Sequence, residues 1–170
     1  MIHRRVWSVA SYDKDKAFEI ASLCGADPLA VLLLQTRGVD TASKVTGFLA
    51  SSSSVLSSPF EMKDMEKAAN RIIRAVDEDE KILIYGDYDA DGITATAILY
   101  SHLEALGARV SYYIPSRLTE GYGLSEKTAM RIAGEGYNLV ITVDNGIASV
   151  AEAEIFRDAG IDFIVTDHHR

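Results

Sequence analysis

Four apolar residues, Ile82-Leu83-Ile84-Tyr85, run directly into Gly86-Asp87-Tyr88-Asp89-Ala90-Asp91-Gly92, and a helix-like stretch over residues 93–106 follows. A strand, a glycine-bounded turn and a helix form the first half of a βαβ crossover, which commits this part of the chain to a layered α/β arrangement. Three carboxylates at alternate positions in such a turn repel one another unless protons or cations compensate them. Hard oxygen donors suit Mg²⁺ or Mn²⁺, and open parallel sheets gather ligands outside the carboxyl ends of their strands. A solvated acidic turn with Gly92 opening a helix would account for the segment taken alone.

The surrounding pattern repeats the unit. Strands are expected over residues 81–85, 109–114, 139–143 and 163–166, all rich in Ile, Val and Leu, with helices over 93–106, 125–135 and 147–159 between them. A further helix over 62–76 places Met65, Ala68, Ala69, Ile72, Ile73 and Val76 on one face. The fold class is therefore α/β: a mostly parallel, Rossmann-like sheet flanked by helices on both faces. Residues 1–60 read differently, as short helices over 13–23, 28–37 and 40–49 and then an exposed serine-rich linker over 51–59. A helical N-terminal region over 1–60 and an α/β domain over 61–170 are expected.

This architecture makes the polar residues informative. The strand over 139–143 runs into Asp144-Asn145-Gly146, and the strand over 163–166 into Asp167-His168-His169. Parallel strands share a direction, so both endings fall at the same edge as Asp87, Asp89 and Asp91. An Asx-turn explains any one of these endings; it does not explain three of them on one rim.

The formal net charge of −8 is unlike that of a basic nucleic-acid-binding module, although two divalent cations would halve it. The single cysteine, Cys24, excludes an internal disulfide and fits a reduced, cytoplasmic setting. The basic start at His3, Arg4 and Arg5 leads into no apolar signal segment. The longest apolar run, over 29–34, is far shorter than the roughly 18 residues a membrane span needs. Arg4, Arg5 and Arg37 read as solvated surface groups, as do His3 and His102.

Asp-Tyr-Asp-Ala-Asp-Gly, the Asp144-Asn145-Gly146 turn and the Asp-His-His ending resemble the first three motifs of the DHH phosphoesterase superfamily, with the RecJ-type single-strand exonucleases the nearest match. Residues 115–125, Pro-Ser-Arg-Leu-Thr-Glu-Gly-Tyr-Gly-Leu-Ser, resemble the loop those exonucleases carry between the first two motifs. The resemblance implies a two-metal phosphodiesterase, dependent on Mn²⁺ or Mg²⁺, that degrades single-stranded DNA from its 5′ end in repair and recombination. It implies that Asp89 and Asp91 each bind one metal, that Asp144 bridges both and that His168 completes the second site. Asp87 would support the first metal, since Tyr85 stands where many members have a ligating histidine. His169 would meet the scissile phosphate, with Asp167 orienting the histidine pair by hydrogen bonding.

The chemistry of the residues agrees. Two cations roughly 3.5 to 4 Å apart activate water, neutralise phosphoryl charge and assist the leaving alkoxide, and a shared carboxylate bridges such a pair. An imidazole donor tilts the preference towards Mn²⁺. Arg117 would clamp a phosphate and Tyr122 would offer a stacking face to a base, unless their glycine-punctuated loop is purely structural.

Superfamily members carry a fourth aspartate motif and a second domain further along the chain, whereas this sequence stops at Arg170. A partial catalytic core, weak or inactive alone and lacking the C-terminal domain of its parent chain, is the expectation. Two other classes compete. Asp89-Ala90-Asp91-Gly92-Ile93-Thr94 nearly spells the haloacid-dehalogenase phosphatase signature, but Ile93 breaks its spacing and the histidine pair has no role there. Within the superfamily, phosphatase, oligonucleotide or cyclic-dinucleotide substrates are alternatives, as is a non-catalytic nucleic-acid-binding scaffold. A dinucleotide fold is excluded because no G-x-G-x-x-G follows any strand.

Overall fold

The computed structural model describes Ser8, residues 10–50 and residues 56–169. The basic start at His3, Arg4 and Arg5, residues 51–55 of the serine run and Arg170 lie outside the described residues. The chain divides into two compact units, Met1–Glu61 and Met62–Arg170.

Among the described residues the first unit holds the helices α1 (Lys14–Cys24), α2 (Pro28–Gln35) and α3 (Ala42–Leu49), and a 3₁₀ turn at Pro59–Glu61. Each helix starts at a side chain able to satisfy orphan amides: Asp13 accepts from Lys16 N, Asp27 from Leu29 N and Ala30 N, and Thr41 from Lys44 N. Ala17, Ile20, Ala21, Val31, Leu34 and Val45 form its buried core. The second helix ends at Gln35, short of residue 37, and Gly38 takes the left-handed turn that follows.

The second unit alternates α4 (Met65–Asp77), β1 (Ile82–Tyr85), α5 (Ala90–Ala105), β2 (Val110–Tyr113), α6 (Glu126–Ala133), β3 (Leu139–Val143), α7 (Val150–Asp158) and β4 (Asp162–Thr166). Its sheet has the order β2-β1-β3-β4 with every pairing parallel. Successive side chains of a strand face opposite ways. Ile82 and Ile84, with Leu139, Ile141 and Val143, therefore meet Ala75 of α4 and Leu103 of α5, while Leu83, Tyr85 and Val140 meet Ala129 and Ile132 of α6 and Phe156 of α7. Both faces are covered, and each fully buried isoleucine contributes roughly 1.5–3 kcal/mol. The expected α/β class is observed, and every strand boundary falls within a residue of its expected place.

The register puts the last residues of the central strands side by side. Tyr85 pairs with Tyr113 on one side and Thr142 on the other, and Val143 pairs with Thr166. Segments 86–89, 144–149 and 167–169 thus leave one rim of the sheet together. At the opposite rim, Arg71 of α4 pairs with Glu80, 2.6 Å away, and with Asp162, fixing the helix to the starts of β1 and β4.

Candidate metal centre

The first segment is shaped by close approach. Gly86 N donates to Tyr113 O at 2.9 Å, extending the ladder one residue past β1, and the chain then turns into α5. A Cβ on Gly92 would lie 2.6 Å from the backbone and Cβ of Asp87, so only glycine lets the first turn of α5 pass this near. The helix begins at Ala90, three residues before the start that the residue pattern predicts, because Asp89 is its N-cap: Asp89 Oδ1 accepts from Asp91 N and Gly92 N at 3.0 Å each. Packing presses Asp87 inward to 1 % exposure.

The second segment is shaped by backbone strain and side-chain anchoring. Asp144 is left-handed, φ 63°, a conformation that aspartate tolerates better than most residues. Its amide donates to Thr166 O at 2.9 Å. Asn145, also buried, donates through Nδ2 to Val143 O at 2.9 Å and to Tyr85 O at 3.4 Å, tying the ends of β1 and β3. Gly146 has φ 105°, and a Cβ there would sit 2.6 Å from Thr142 Oγ1. Asn145 is a site residue that the sequence pattern does not single out; its only signal is its place between the strand-end aspartate and the glycine.

The third segment brings the histidines. His168 Nε2 lies 2.9 Å from Asp144 Oδ1. Asp167, with its side chain 2 % exposed, accepts from His169 Nδ1 at 2.7 Å and from the His169 amide at 3.0 Å, while its other oxygen accepts from Ile147 N at 2.9 Å. Asp167 thus fixes one histidine of the pair, His169, and the loop after β3, rather than both imidazoles. Tyr122 places its hydroxyl 3.2 Å from His169 Nδ1 and meets that ring and Tyr88 edge-on. The Arg117 guanidinium lies over the Tyr88 ring, 5.4 Å from its centroid, so the expected phosphate clamp rests on an aromatic face.

Two overlapping sets of donors result. Oxygens of Asp87, Asp89 and Asp144 lie within 4.8 Å of one another, and so do donor atoms of Asp144, His168 and His169. Asp144 belongs to both. Asp91 belongs to neither: it is exposed in the first turn of α5, where its charge complements the helix N-terminus. Asp89 and Asp91, each expected to bind one metal, stand differently: Asp89 caps α5 and shares the first donor set, whereas Asp91 lies outside both. His169, assigned to phosphate by the resemblance, also falls among the second set.

The electrostatics calls for cations. Burial, joined by the charges of Asp89 and Asp144, pushes the Asp87 carboxyl above the usual carboxylate range. Burial also opposes ionisation of Asp167, yet the amides of His169 and Ile147 and the His169 ring hold it below its ordinary value. The bond to Asp167 raises His169, and burial together with the neighbouring carboxylates raises the Tyr122 phenol. Asp87 Oδ1 and Asp144 Oδ2 are buried without a hydrogen-bond partner, and among the described residues no lysine or arginine pairs with Asp87, Asp89 or Asp144. Orphaned carboxylate oxygens are costly to bury. Oxygen donors with one or two imidazoles suit Mn²⁺ or Mg²⁺, so the residues fit such ions.

Comparison with known proteins is in keeping with this donor set. The chain is 45 % identical over 163 residues to the single-stranded-DNA-specific exonuclease RecJ of Bacillus subtilis (strain 168), a match covering 96 % of this chain and 21 % of that protein. It is 38 % identical over 148 residues to the enzyme of the same name from Escherichia coli (strain K12), covering 84 % of this chain and 24 % of the relative. The chain thus spans about a quarter or less of these curated relatives. A crystal structure of RecJ in complex with Mn²⁺ from Thermus thermophilus superposes over 95 % of this chain and 22 % of that one, with a TM-score of 0.66 and 30 % identity. A crystal structure of exonuclease RecJ bound to manganese covers 64 % of this chain and 28 % of that one, with a TM-score of 0.62 and 43 % identity. The DHH family, N-terminal domain, matches residues 81–170, the stretch from the start of β1 to the histidine pair. On that match, and on the strand-end acids it encloses, the chain belongs to the DHH family.

Proposed function

We propose that this chain is the metal-holding part of a two-metal phosphodiesterase that removes nucleotides from the 5′ end of single-stranded DNA. One observation carries the reading: a buried carboxylate, Asp144, shared by two donor sets and left with an unpartnered oxygen. Bound cations supply an activated water, neutralisation of the phosphoryl oxygens and help for the leaving alkoxide.

The protein's own groups divide the remaining work. Asp87, Asp89 and Asp144 would hold one ion, and Asp144, His168 and the neighbouring His169 would hold the other. Asp91, a metal ligand by the family resemblance, stands outside both donor sets in the structure. Asp167 engages His169 Nδ1 and so leaves Nε2 for a phosphoryl oxygen. Arg117 adds positive charge for the strand, and the exposed Tyr122 ring offers a face to a base. Restricting the substrate to single strands, and to DNA, follows the single-stranded-DNA-specific exonucleases that the chain resembles. A role in repair and recombination, in a cytoplasmic setting, belongs to the same proposal. No helix among the described residues is long and apolar enough to cross a membrane.

The test uses the full-length protein carrying this chain, with 5′-phosphorylated single strands, duplexes and 3′-phosphorylated controls, in Mn²⁺, Mg²⁺ or a chelator. Mononucleotide release from single strands, lost in chelator and lowered at least about 10³-fold by Asp144→Ala, is expected. Hydrolysis that survives chelation, a trapped phospho-aspartate, or undiminished turnover in that variant would overturn the reading.

A further inference from the structure

We infer that Glu120 is a positioning residue, which straps the loop over residues 115–123 to the end of β2 and so places Tyr122 against His169. The inference rests on the phosphodiesterase reading. Glu120 Oε2 accepts from the Tyr113 hydroxyl at 2.6 Å, and Oε1 accepts from the Ser116 amide at 3.0 Å. The Glu120 amide donates back to Ser116 O at 2.9 Å, so side chain and backbone close the same five-residue turn from both sides. The amide of Ser116 and the hydroxyl of Tyr113 hold the Glu120 carboxyl below its ordinary range.

The post to which Glu120 ties is itself fixed. Tyr113 stacks on Tyr85, with centroids 5.6 Å apart, and lies under the Arg131 guanidinium of α6 at 4.7 Å. Tyr85, its register partner, donates to Gly123 O at 3.1 Å and anchors the far end of the loop. Between these two attachments the loop carries Arg117, over Tyr88, and Tyr122, bonded to His169. Glu120 has no hydrogen bond or ion pair to the metal-holding groups, so its effect on chemistry passes through the two residues its loop carries to the site, Arg117 and Tyr122.

The test pairs an exchange measurement with kinetics in the full-length protein. In Glu120→Ala, amide hydrogen exchange over residues 116–122 should rise about tenfold or more while the amides of β1 and β3 stay protected. Tyr113→Phe, which removes one hydroxyl and keeps both ring contacts, should raise exchange over the same residues by a smaller factor and guards against misfolding of the alanine variant. On single-stranded DNA, Glu120→Ala should lower kcat/KM about tenfold, and Glu120→Ala combined with Tyr122→Phe should lose clearly less than the product of the two single losses. Glu120→Gln, which keeps one acceptor oxygen, should recover part of the loss. Unchanged exchange over 116–122, or losses that multiply independently in the double variant, would overturn the inference. Absence of nucleotide release by the unmodified protein would instead strike the functional reading, and the exchange result alone would then decide whether the strap exists.

Discussion

The two rims of the sheet treat charge in opposite ways. Where the strands begin, Arg71 and Arg74 meet Glu80 and Asp162, and acid is matched by base within the protein. Where the strands end, Asp87, Asp89 and Asp144 crowd together with no arginine or lysine against them among the described residues, and two of their oxygens have no hydrogen-bond partner. The two arginines at the first rim come from α4, a helix whose side chains reach the strand starts. No lysine or arginine among those described occupies an equivalent place at the second rim, where imidazoles meet Asp144 and Asp167 instead, although Arg117 stands close enough to lie on Tyr88. A chain that matches acid with arginine at one end, and sets no arginine or lysine among its described residues against Asp87, Asp89 and Asp144 at the other, leaves the second end open to charge from outside.

If that contrast is sound, the largest effect belongs to Asp144, because it alone serves both donor sets. Asp144→Ala should abolish tight Mn²⁺ binding in titration and remove activity by at least about 10³-fold, whereas Asp162→Ala should leave both within about twofold. Next in size is the response to metal itself. Mn²⁺ at about 100 times its Kd should stabilise the protein by about 2.7 kcal/mol in thermal melts, and a chelator should return the midpoint to its metal-free value. A melt indifferent to Mn²⁺ would remove the distinction between the rims.

Much of this contrast is legible in the residue order. Strand ends announce themselves because Ile, Val and Leu runs stop at Asp or Gly, so Asp87, Asp144 and Asp167 can be set on one rim before any coordinates. Two things are not legible. Strand order depends on which apolar faces find each other, and no local pattern encodes the sequence β2-β1-β3-β4. The division of labour among alternating aspartates is equally hidden: Asp87, Asp89 and Asp91 look alike in sequence, yet one is buried under Gly92, one caps α5 and one points its charge to solvent. The loop over 115–123 reads through Arg117 and Tyr122, while Glu120, whose bonds reach back to Tyr113, carries no signal of its own.

The smaller effects sharpen the comparison from each side. Arg71→Ala strips the partner from Glu80, which is itself only 16 % exposed, and should cost about 2 kcal/mol of stability without changing Mn²⁺ affinity. Asp87→Asn should do the reverse. In the metal-free protein it removes a buried charge held beside two others, so stability should rise by about 1 kcal/mol, while Mn²⁺ affinity falls. The pH dependence fixes the cause. A carboxyl whose folded-state pKa is raised above its unfolded value favours folding while it is protonated in both states and loses that advantage as pH climbs through the folded value. The gain from Asp87→Asn should therefore be present at neutral pH and vanish on acidification below the ordinary carboxylate range. A gain that persists unchanged into acid would mean that packing rather than charge is relieved, and the second rim would no longer differ from the first for electrostatic reasons.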